Sequence, residues 1–244
     1  MLSGSVIVGS GILELSIYIL HTNTYEKSST GTAIVVLAGL INAARVVKKT
    51  LPSMRAVIIG AGAAGTAVAK LFLLAGIKDV ILVDSKGVIV RGRGKMNDHK
   101  EMLADISNPR GVSGDLADAV RGADVVVGVS GPGLIEAKHV ARMNKKPIVF
   151  ALANPIPEIM PDEAKKAGAA VVATGRSDYP NQINNSLAFP GVFRGALDHG
   201  VKKITDEMKL QAAKNLAALV KKPTADKVVP TPFEKGVAEA VARA

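Results

Sequence analysis

The residues of this chain that most directly suggest chemistry are three glycines in one short segment. Residues 60–65 read Gly-Ala-Gly-Ala-Ala-Gly, after the apolar run 56–59 and before residues 66–74, whose apolar positions have helical spacing. In such a strand, turn and helix, the first glycine permits a tight turn, the second lets backbone approach a pyrophosphate, and the third lets the helix pack closely. The helix N-terminus adds free N–H groups and a positive dipole. We therefore predict that a dinucleotide is bound by Gly60, Gly62, Ala63, Ala64 and Gly65.

An acidic residue follows the next predicted strand. The apolar run 80–83 ends at Asp84, about two dozen residues beyond the first glycine, where a carboxylate accepts hydrogen bonds from an adenosine ribose. This position favours NAD. NADP is the second candidate, because a 2′-phosphate could be neutralised by the nearby cations Lys86, Arg91, Arg93 and Lys95. The alternative is a glycine turn that binds nothing, which the flanking strand, the helix and Asp84 disfavour.

Further polar groups follow the later predicted strands. Ser130 and Gly131 come after the apolar run 125–129, Asn154 after 147–152, and Asn184 and Asn185 after 170–173 and a polar loop. In doubly wound sheets, ligands bind at the carboxyl ends of the strands. Amides suit a substrate site there, since they donate to a carboxylate and accept from a hydroxyl without changing charge. Asn-Pro and Asn-Asn are also common turn pairs, and the spacing alone leaves both interpretations open.

Other catalytic signals are weak. The four histidines, at positions 21, 99, 139 and 199, lack the paired spacing of metal ligands, and no Gly-x-Ser-x-Gly segment is present. No residue is therefore assigned as catalytic or as a metal ligand. The absence of cysteine excludes disulfides and thiolate metal sites, and it favours a reducing compartment, from which we predict a cytoplasmic location.

The elements that must position these groups alternate between apolar strands and helices. The strand segments are continuous apolar runs, which are typical of a parallel sheet covered on both faces. We predict a Rossmann-type α/β fold, a doubly wound, mainly parallel sheet with helices on both faces. The segment 32–49 is apolar on nearly every side and predicts a buried helix. Further helices are predicted at 97–107, 115–120, 137–144, 161–167, 191–199, 205–220 and 233–243.

The start of the chain differs from the rest. Residues 6–20 are apolar, but Gly9, Gly11 and Glu14 interrupt them, and no Lys or Arg precedes them. The segment is short for a membrane span and lacks the basic start of a secretory signal, so we predict neither. A buried strand, a short helix or a poorly ordered leader are the remaining interpretations. We divide the chain into an atypical leader, 1–30, and one domain, 31–244.

The chain carries a formal net charge of +10, which favours anionic partners. The basic residues are scattered in short groups such as Lys48-Lys49 and Lys221-Lys222, with no aromatic platform among them. A solvated surface explains this pattern better than nucleic-acid binding does. We therefore predict neither a nucleic-acid partner nor a membrane partner.

Five motifs together resemble one family. They are Gly-Thr-Ala-Ile-Val-Val at 31–36, the glycine segment 60–65, Val-Asp-Ser-Lys-Gly at 83–87, Ala-Asn-Pro-Ile-Pro-Glu at 153–158 and Pro-Asn-Gln-Ile-Asn-Asn at 180–185. From Gly31 onward the chain resembles the cofactor-binding domain of the short prokaryotic malic enzymes. The resemblance implies oxidation of malate by NAD or NADP, then metal-assisted decarboxylation to pyruvate and CO2, in a dimer or larger assembly.

The same resemblance implies roles for individual residues. Asn154, Asn184 and Asn185 would hold malate near the nicotinamide. The dinucleotide would be held by the glycines, Asp84, Ser130 and Gly131.

Two departures from the family pattern stand out. The family has a pair of aspartates just before Gly-Thr-Ala, one of them a ligand of Mg²⁺ or Mn²⁺, whereas residues 26–30 read Glu-Lys-Ser-Ser-Thr. Lysine and serine do not replace that carboxylate. The family's N-terminal domain, with its other metal carboxylates, lysine base and tyrosine acid, has no counterpart in these 244 residues. Our hypothesis is that residues 1–30 are an unrelated leader from a truncated or frame-shifted gene, and that the chain alone is inactive or feeble.

Two other functions stay open at this point. The chain could be a non-catalytic module that senses the dinucleotide or pairs with a separately encoded catalytic domain. It could also be the cofactor domain of another amino-acid or hydroxy-acid dehydrogenase.

Overall fold

The computed structural model describes residues 24–244 except 202 and 233, and only the backbone of residues 24–28. The segment 6–20 discussed above lies outside the described residues. The helices are α1 (Thr24–Val47), α2 (Ala63–Leu74), α3 (Asp98–Ile106), α4 (Leu116–Ala119), α5 (Ala137–Val140), α6 (Pro161–Lys166), α7 (Phe189–Asp198), α8 (Asp206–Leu219) and α9 (Val237–Ala242). The strands are β1 (Arg55–Ile59), β2 (Asp79–Asp84), β3 (Gly87–Val88), β4 (Val125–Gly128), β5 (Ile148–Ala151) and β6 (Val171–Thr174). Short 3-10 helices occupy Leu51–Ser53 and Asn185–Leu187.

Within this part of the chain the strands form one six-stranded sheet in the order β3-β2-β1-β4-β5-β6. All neighbouring pairs are parallel except β2 with β3. The chain leaves β1 toward β2 on one side and later returns to place β4 on the other, so the order reverses at β1. This is the switch point at which open α/β sheets bind ligands. The predicted Rossmann-type fold is confirmed.

The antiparallel strand β3 was not predicted. It forms a tight hairpin in which Asp84 pairs with Gly87, and Gly87 has a φ of 103°. A side chain there would also overlap the carbonyl oxygen of Gly114. Two residues are too short to produce an alternating pattern, so this strand has no periodic signal in the sequence.

Helices cover both faces of the sheet. On β1, Ala56 and Ile58 pack into one apolar cluster, whereas Val57 and Ile59 pack into the other. The first cluster includes residues of α1, α2, α8 and α9, and the second includes residues of α4, α5 and α6. Because successive strand residues point to opposite faces and both faces are covered, each strand is apolar throughout.

Helix α1 is the buried helix that the sequence predicts, although it includes residues from Thr24 onward. Its side chains Ile34, Leu37 and Leu40 are fully buried, and the helix packs against α2 and α8. Residues Ser29–Val47 are long and apolar enough to span a membrane, but 72% of that stretch is buried inside the protein. Packing within the domain therefore accounts for its apolar surface.

A buried amide links α1 to the C-terminal part of the domain. The Asn42 Nδ2 donates hydrogen bonds to the carbonyl oxygens of Ala217 and Val228, each at 2.9 Å. Its Oδ1 accepts a hydrogen bond from Arg45 Nη1. The polar side chain is tolerated at full burial because its donors and its acceptor are all used.

Replacement of Asn42 by alanine tests this link. Asn42→Ala removes the donor from the Val228 carbonyl oxygen, whereas the Ala217 carbonyl oxygen keeps its hydrogen bond from the Val220 N–H at 3.1 Å. We therefore expect the free energy of unfolding to fall by about 1–3 kcal/mol. Urea denaturation followed by circular dichroism measures the change. The control is Gln211→Ala, which removes an exposed hydrogen bond to Asn215 and should change stability by less than about 0.5 kcal/mol.

Candidate functional site

The turn between β1 and α2 has the backbone geometry that its glycines predict. Gly60 has a φ of 113°, and its N–H donates to the Val83 carbonyl oxygen at 2.8 Å. A Cβ on Gly60 would lie 2.8 Å from the Val129 carbonyl oxygen. A Cβ on Gly65 would overlap the carbonyl oxygen of Gly60. Both glycines are therefore needed so that α2 can begin directly against the end of β1.

Gly62 is different, because a Cβ there would meet nothing within 4 Å. It is the N-cap of α2, its backbone is extended with a φ of −84°, and no side chain caps the helix. The first turn, which contains Ala63 and Ala64, has no acidic residue. Open space thus faces free N–H groups at a helix N-terminus, an arrangement that fits a phosphate.

A cavity of about 560 Å³ lies beside this turn, a volume typical of ligand sites. Its lining includes Ile59, Val83, Asp84, Ser130, Leu134 and His139. The loop after β4 borders the turn closely, since a Cβ on Gly60 would lie 3.3 Å from the Ser130 Cβ. Gly131, next to Ser130, leaves open space where a side chain would stand. Three strand ends, those of β1, β2 and β4, therefore share one crevice, and the dinucleotide fits this part of the chain.

Asp84 is held by three donors. Arg93 donates to both carboxylate oxygens, at 2.9 and 2.7 Å, Lys100 Nζ lies 2.7 Å from Oδ2, and the Lys86 N–H donates to Oδ1. Burial by itself raises the pKa of Asp84, but the hydrogen bonds from Arg93 and Lys100 outweigh it and lower that pKa strongly. The carboxylate stays ionised, and its charge is compensated by two cations.

One of the cations predicted to face a 2′-phosphate is instead bound to Asp84. The sequence placed Arg93 among the groups that could neutralise a 2′-phosphate, whereas its guanidinium binds Asp84 and the carbonyl oxygens of Gly87 and Val88. Lys100 was missed altogether. It lies on α3, distant in sequence from Asp84, and only the fold brings the two charges together.

The predicted substrate amides follow β5 and β6. Asn154 is exposed, its peptide bond to Pro155 is cis, and its side chain makes no hydrogen bond with the described residues. The Asn184 Oδ1 accepts the Ser186 N–H at 2.9 Å. Asn185 packs beside Gly31, where a Cβ would lie 3.1 Å from the Asn185 Cβ.

The loops that carry these amides are neighbours. Strands β5 and β6 are paired in parallel, with Ala151 opposite Thr174, so both loops leave the same edge of the sheet. Arg176 Nη1 donates to the Pro155 carbonyl oxygen at 3.3 Å and links the two loops. The part that Asn154, Asn184 and Asn185 play in binding a substrate stays a prediction.

Two buried ionisable residues near the site were missed. His139 lines the cavity, and its Nδ1 accepts the Glu136 N–H at 3.0 Å, while burial lowers its pKa. Glu158 is fully buried, and burial raises its pKa. No sequence pattern marks His139, because its ring contacts a backbone N–H and not a side chain at a characteristic spacing. Glu158 ends the segment 153–158, whose proline-rich pattern drew attention to Asn154 instead.

The described residues do not offer a metal site. Within residues 24–244, apart from the omitted positions, no three His, Asp or Glu side chains are grouped so that they could hold a metal ion. The residues before Gly31 read Glu-Lys-Ser-Ser-Thr, without the aspartate pair of the family pattern. The side chains that the structure describes do not fit a divalent cation, and we derive no chemical step through one.

Comparisons with known proteins identify relatives over nearly the whole chain. The family described as "Malic enzyme, NAD binding domain" matches residues 30–242. The bifunctional malic/malolactic enzyme of Bacillus subtilis is 49% identical over 223 residues, covering 90% of this chain and 54% of that protein. The NADP-dependent malic enzyme of Halomonas elongata is 43% identical, covering 90% of this chain and 56% of that protein. The chain thus spans about half the length of these relatives.

Solved structures give the same result. The crystal structure of an NAD-dependent malic enzyme from Thermotoga maritima superposes with a TM-score of 0.85 at 40% identity. The match covers 89% of this chain and 58% of that chain.

The two glycine environments predict opposite results for two alanine substitutions. Gly62→Ala adds a methyl group in open space, so stability should change by less than about 0.5 kcal/mol. The same methyl group would occupy the space of a pyrophosphate, so dinucleotide affinity should fall at least about tenfold. Gly65→Ala forces the helix from the strand and should cost at least about 2 kcal/mol of stability. Calorimetric titration and urea denaturation measure both effects, and unchanged affinity in Gly62→Ala would contradict the site.

The Asp84 network predicts a pH-dependent stability. Because the pKa of Asp84 is lower in the folded state than in the unfolded state, its stabilisation is present above the unfolded pKa of about 4. That stabilisation is lost as the pH falls toward the folded pKa. Asp84→Asn should therefore lower the free energy of unfolding by about 2 kcal/mol at pH 7, and the difference should shrink below pH 4.

Urea denaturation of wild type and variant between pH 3 and pH 7 measures this difference. The matched control is Asp178→Asn, which removes an exposed pair with Arg176 and should have little effect at any pH. A difference independent of pH would show that Asp84 does not stabilise the fold through its charge.

Proposed function

The chain belongs to the malic enzyme family and carries its NAD-binding domain, and from this premise we propose that it binds NAD, or NADP, for the oxidative decarboxylation of malate to pyruvate and CO2. The observation that carries the proposal is the open space at Gly62, the N-cap of α2, in a turn whose Gly60 borders Ser130 of the cavity that Asp84 also lines. The relatives' printed names, NAD-dependent, NADP-dependent and malic/malolactic enzymes, support the substrate.

The turn residues hold the dinucleotide in this proposal. The N–H groups at the start of α2 bind the pyrophosphate, while Gly60 and Gly65 keep the helix against β1. Ser130 and Gly131 border the same crevice from β4. A dinucleotide held by these residues would supply the hydride acceptor for C2 of malate.

The asparagines orient the substrate. Asn154 has an exposed amide without a hydrogen-bond partner among the described residues. The Oδ1 of Asn184 accepts the Ser186 N–H, so the NH2 group of Asn184 is the donor toward a substrate. Together with Asn185, these amides donate to the carboxylates of malate. They move no proton, so the acid and base of the reaction come from elsewhere. By the family resemblance, those groups belong to the half of the relatives that this chain does not match.

The charge balance at Asp84 bears on the choice of dinucleotide. A free carboxylate at this position would repel a 2′-phosphate, but Asp84 carries two cations on its oxygens. We propose that NAD is the main ligand and that the neutralised Asp84 also allows NADP to bind. Titration of the wild type and of Lys100→Ala with each dinucleotide measures the difference in affinity between NAD and NADP.

The remaining features of the proposal concern the surroundings of the protein. We propose a cytoplasmic location, in keeping with the absence of cysteine and with bacterial relatives. We also propose a dimer or larger assembly by the family resemblance, which light scattering tests. Neither nucleic acid nor a membrane is part of the proposal.

Binding and turnover separate the proposed function from its alternatives. We expect calorimetry to detect NAD or NADP binding, while malate, Mn²⁺ and dinucleotide should give little reduced cofactor, since the described residues hold no metal cluster. Adding an N-terminal domain from a relative should restore turnover. Binding without restored turnover would favour a sensing module, oxidation without CO2 release would favour another dehydrogenase, and no binding would contradict the proposal.

A further inference from the structure

A buried carboxylate connects the loop that borders the cofactor crevice to the loop that carries Asn154. Glu158 is 0% exposed, although it lies only four residues after Asn154. Its Oε1 accepts the Ser130 N–H at 3.0 Å, and its Oε2 accepts the Ala153 N–H at 2.9 Å. One side chain therefore binds the loop after β4 with one oxygen and the loop after β5 with the other.

The backbone around Glu158 strengthens this connection. The Glu158 carbonyl oxygen accepts the Ile135 N–H at 3.0 Å, and the Pro157 carbonyl oxygen accepts the Gly133 N–H at 3.3 Å. These bonds join the segment 153–158 to the segment 130–135 along its length. The carboxylate adds the two contacts nearest to the strand ends, one with the Ser130 N–H and one with the N–H of Ala153, the residue before Asn154.

The sheet itself makes room for this carboxylate. Gly128, the last residue of β4, has no side chain, and a Cβ there would lie 2.6 Å from Glu158 Oε1 and 2.7 Å from Cγ. Glycine is required at this strand position because the Glu158 side chain passes across it. The carboxylate thus occupies a space that the strand leaves free.

Charge compensation does not explain why a carboxylate stands there. Glu158 forms no ion pair with the residues that the structure describes, and its pKa is raised by burial, against which only backbone N–H groups act. Burial of a carboxylate without a cation is unfavourable. What a carboxylate offers here is two acceptor oxygens that satisfy two N–H donors from two loops at once, whereas an amide offers only one.

We propose that Glu158 is a positioning residue that holds the cofactor loop at Ser130–Gly131 and the substrate amide of Asn154 in one fixed arrangement. This inference rests on the proposed function, since it assigns to Glu158 a role in binding the dinucleotide and malate. Glu158 acts through Ser130 and Ala153 and touches neither ligand.

The test is Glu158→Gln, which keeps the shape of the side chain and leaves one acceptor for two donors. We expect the affinity for NAD to fall by up to about tenfold, because the free energy of one hydrogen bond to a charged group no longer holds the Ser130 loop in place. In amide NMR spectra, the Ser130 and Ala153 N–H protons should lie downfield in the wild type because they bind a carboxylate. At least one of them should move upfield in the variant, and the Asn154 side-chain signals should shift with it.

The matched control is Asn42→Ala, which also removes hydrogen bonds to a buried polar side chain, but at the link between α1 and the end of α8. It should lower stability without changing the affinity for NAD or the Ser130 and Ala153 signals. A purely structural role for Glu158 would lower stability and leave the affinity for NAD unchanged, as in this control. If Glu158→Gln does not fold, Gly128→Ala displaces the carboxylate instead and should reproduce both effects.

The outcomes distinguish the two proposals. If the wild-type chain binds NAD and Glu158→Gln binds it equally well, the positioning role is overturned and the proposed function stands. The same conclusion follows if both amide signals stay in place. If the wild-type chain binds neither NAD nor NADP, the proposed function fails, and the role of Glu158 fails with it.

Discussion

The close approach of α2 to the end of β1 is the constraint on which the rest of the site depends. The carbonyl oxygen of Gly60 lies where a Cβ of residue 65 would stand, so the helix begins directly above the strand only with glycine there. This approach places the free N–H groups of α2 at the switch point of the sheet. The neighbouring strand ends then supply Asp84 from β2 and the Ser130 loop from β4.

Two buried carboxylates at this edge have opposite electrostatic surroundings. Asp84 has two cations on its oxygens and a lowered pKa, whereas Glu158 is bound, among the residues that the structure describes, only by backbone N–H groups and has a raised pKa. At the predicted ribose position, Arg93 and Lys100 neutralise the negative charge of Asp84. Glu158 uses the two oxygens of its carboxylate to join two loops. The carboxylate of Asp84 is therefore part of a balanced set of charges, whereas the carboxylate of Glu158 fixes the relative position of two loops.

The polar groups that the described residues place at the site suit binding rather than proton transfer. These residues offer neutral amides, glycine turns and a helix N-terminus, which are groups that bind and orient without transferring protons. The chain also spans about half the length of its relatives, and no metal cluster occurs among the residues that the structure describes. Binding of the dinucleotide is thus the function for which these residues provide the most complete set of groups.

The sequence alone determined the parallel strands, the buried helix α1 and the glycine turn, because apolar runs and glycine spacing act between residues close along the chain. It also placed Asp84, Ser130 and Asn154 at one edge, since parallel strands share the direction of their carboxyl ends. Only the tertiary structure decided that Lys100 binds Asp84 and that Glu158 joins Ser130 to Ala153. Lys100 and Ser130 lie on other elements than Asp84 and Glu158, and the distances between these partners depend on how the helices and loops pack around the sheet. Local patterns carry no information about that packing, which is why both pairings were missed.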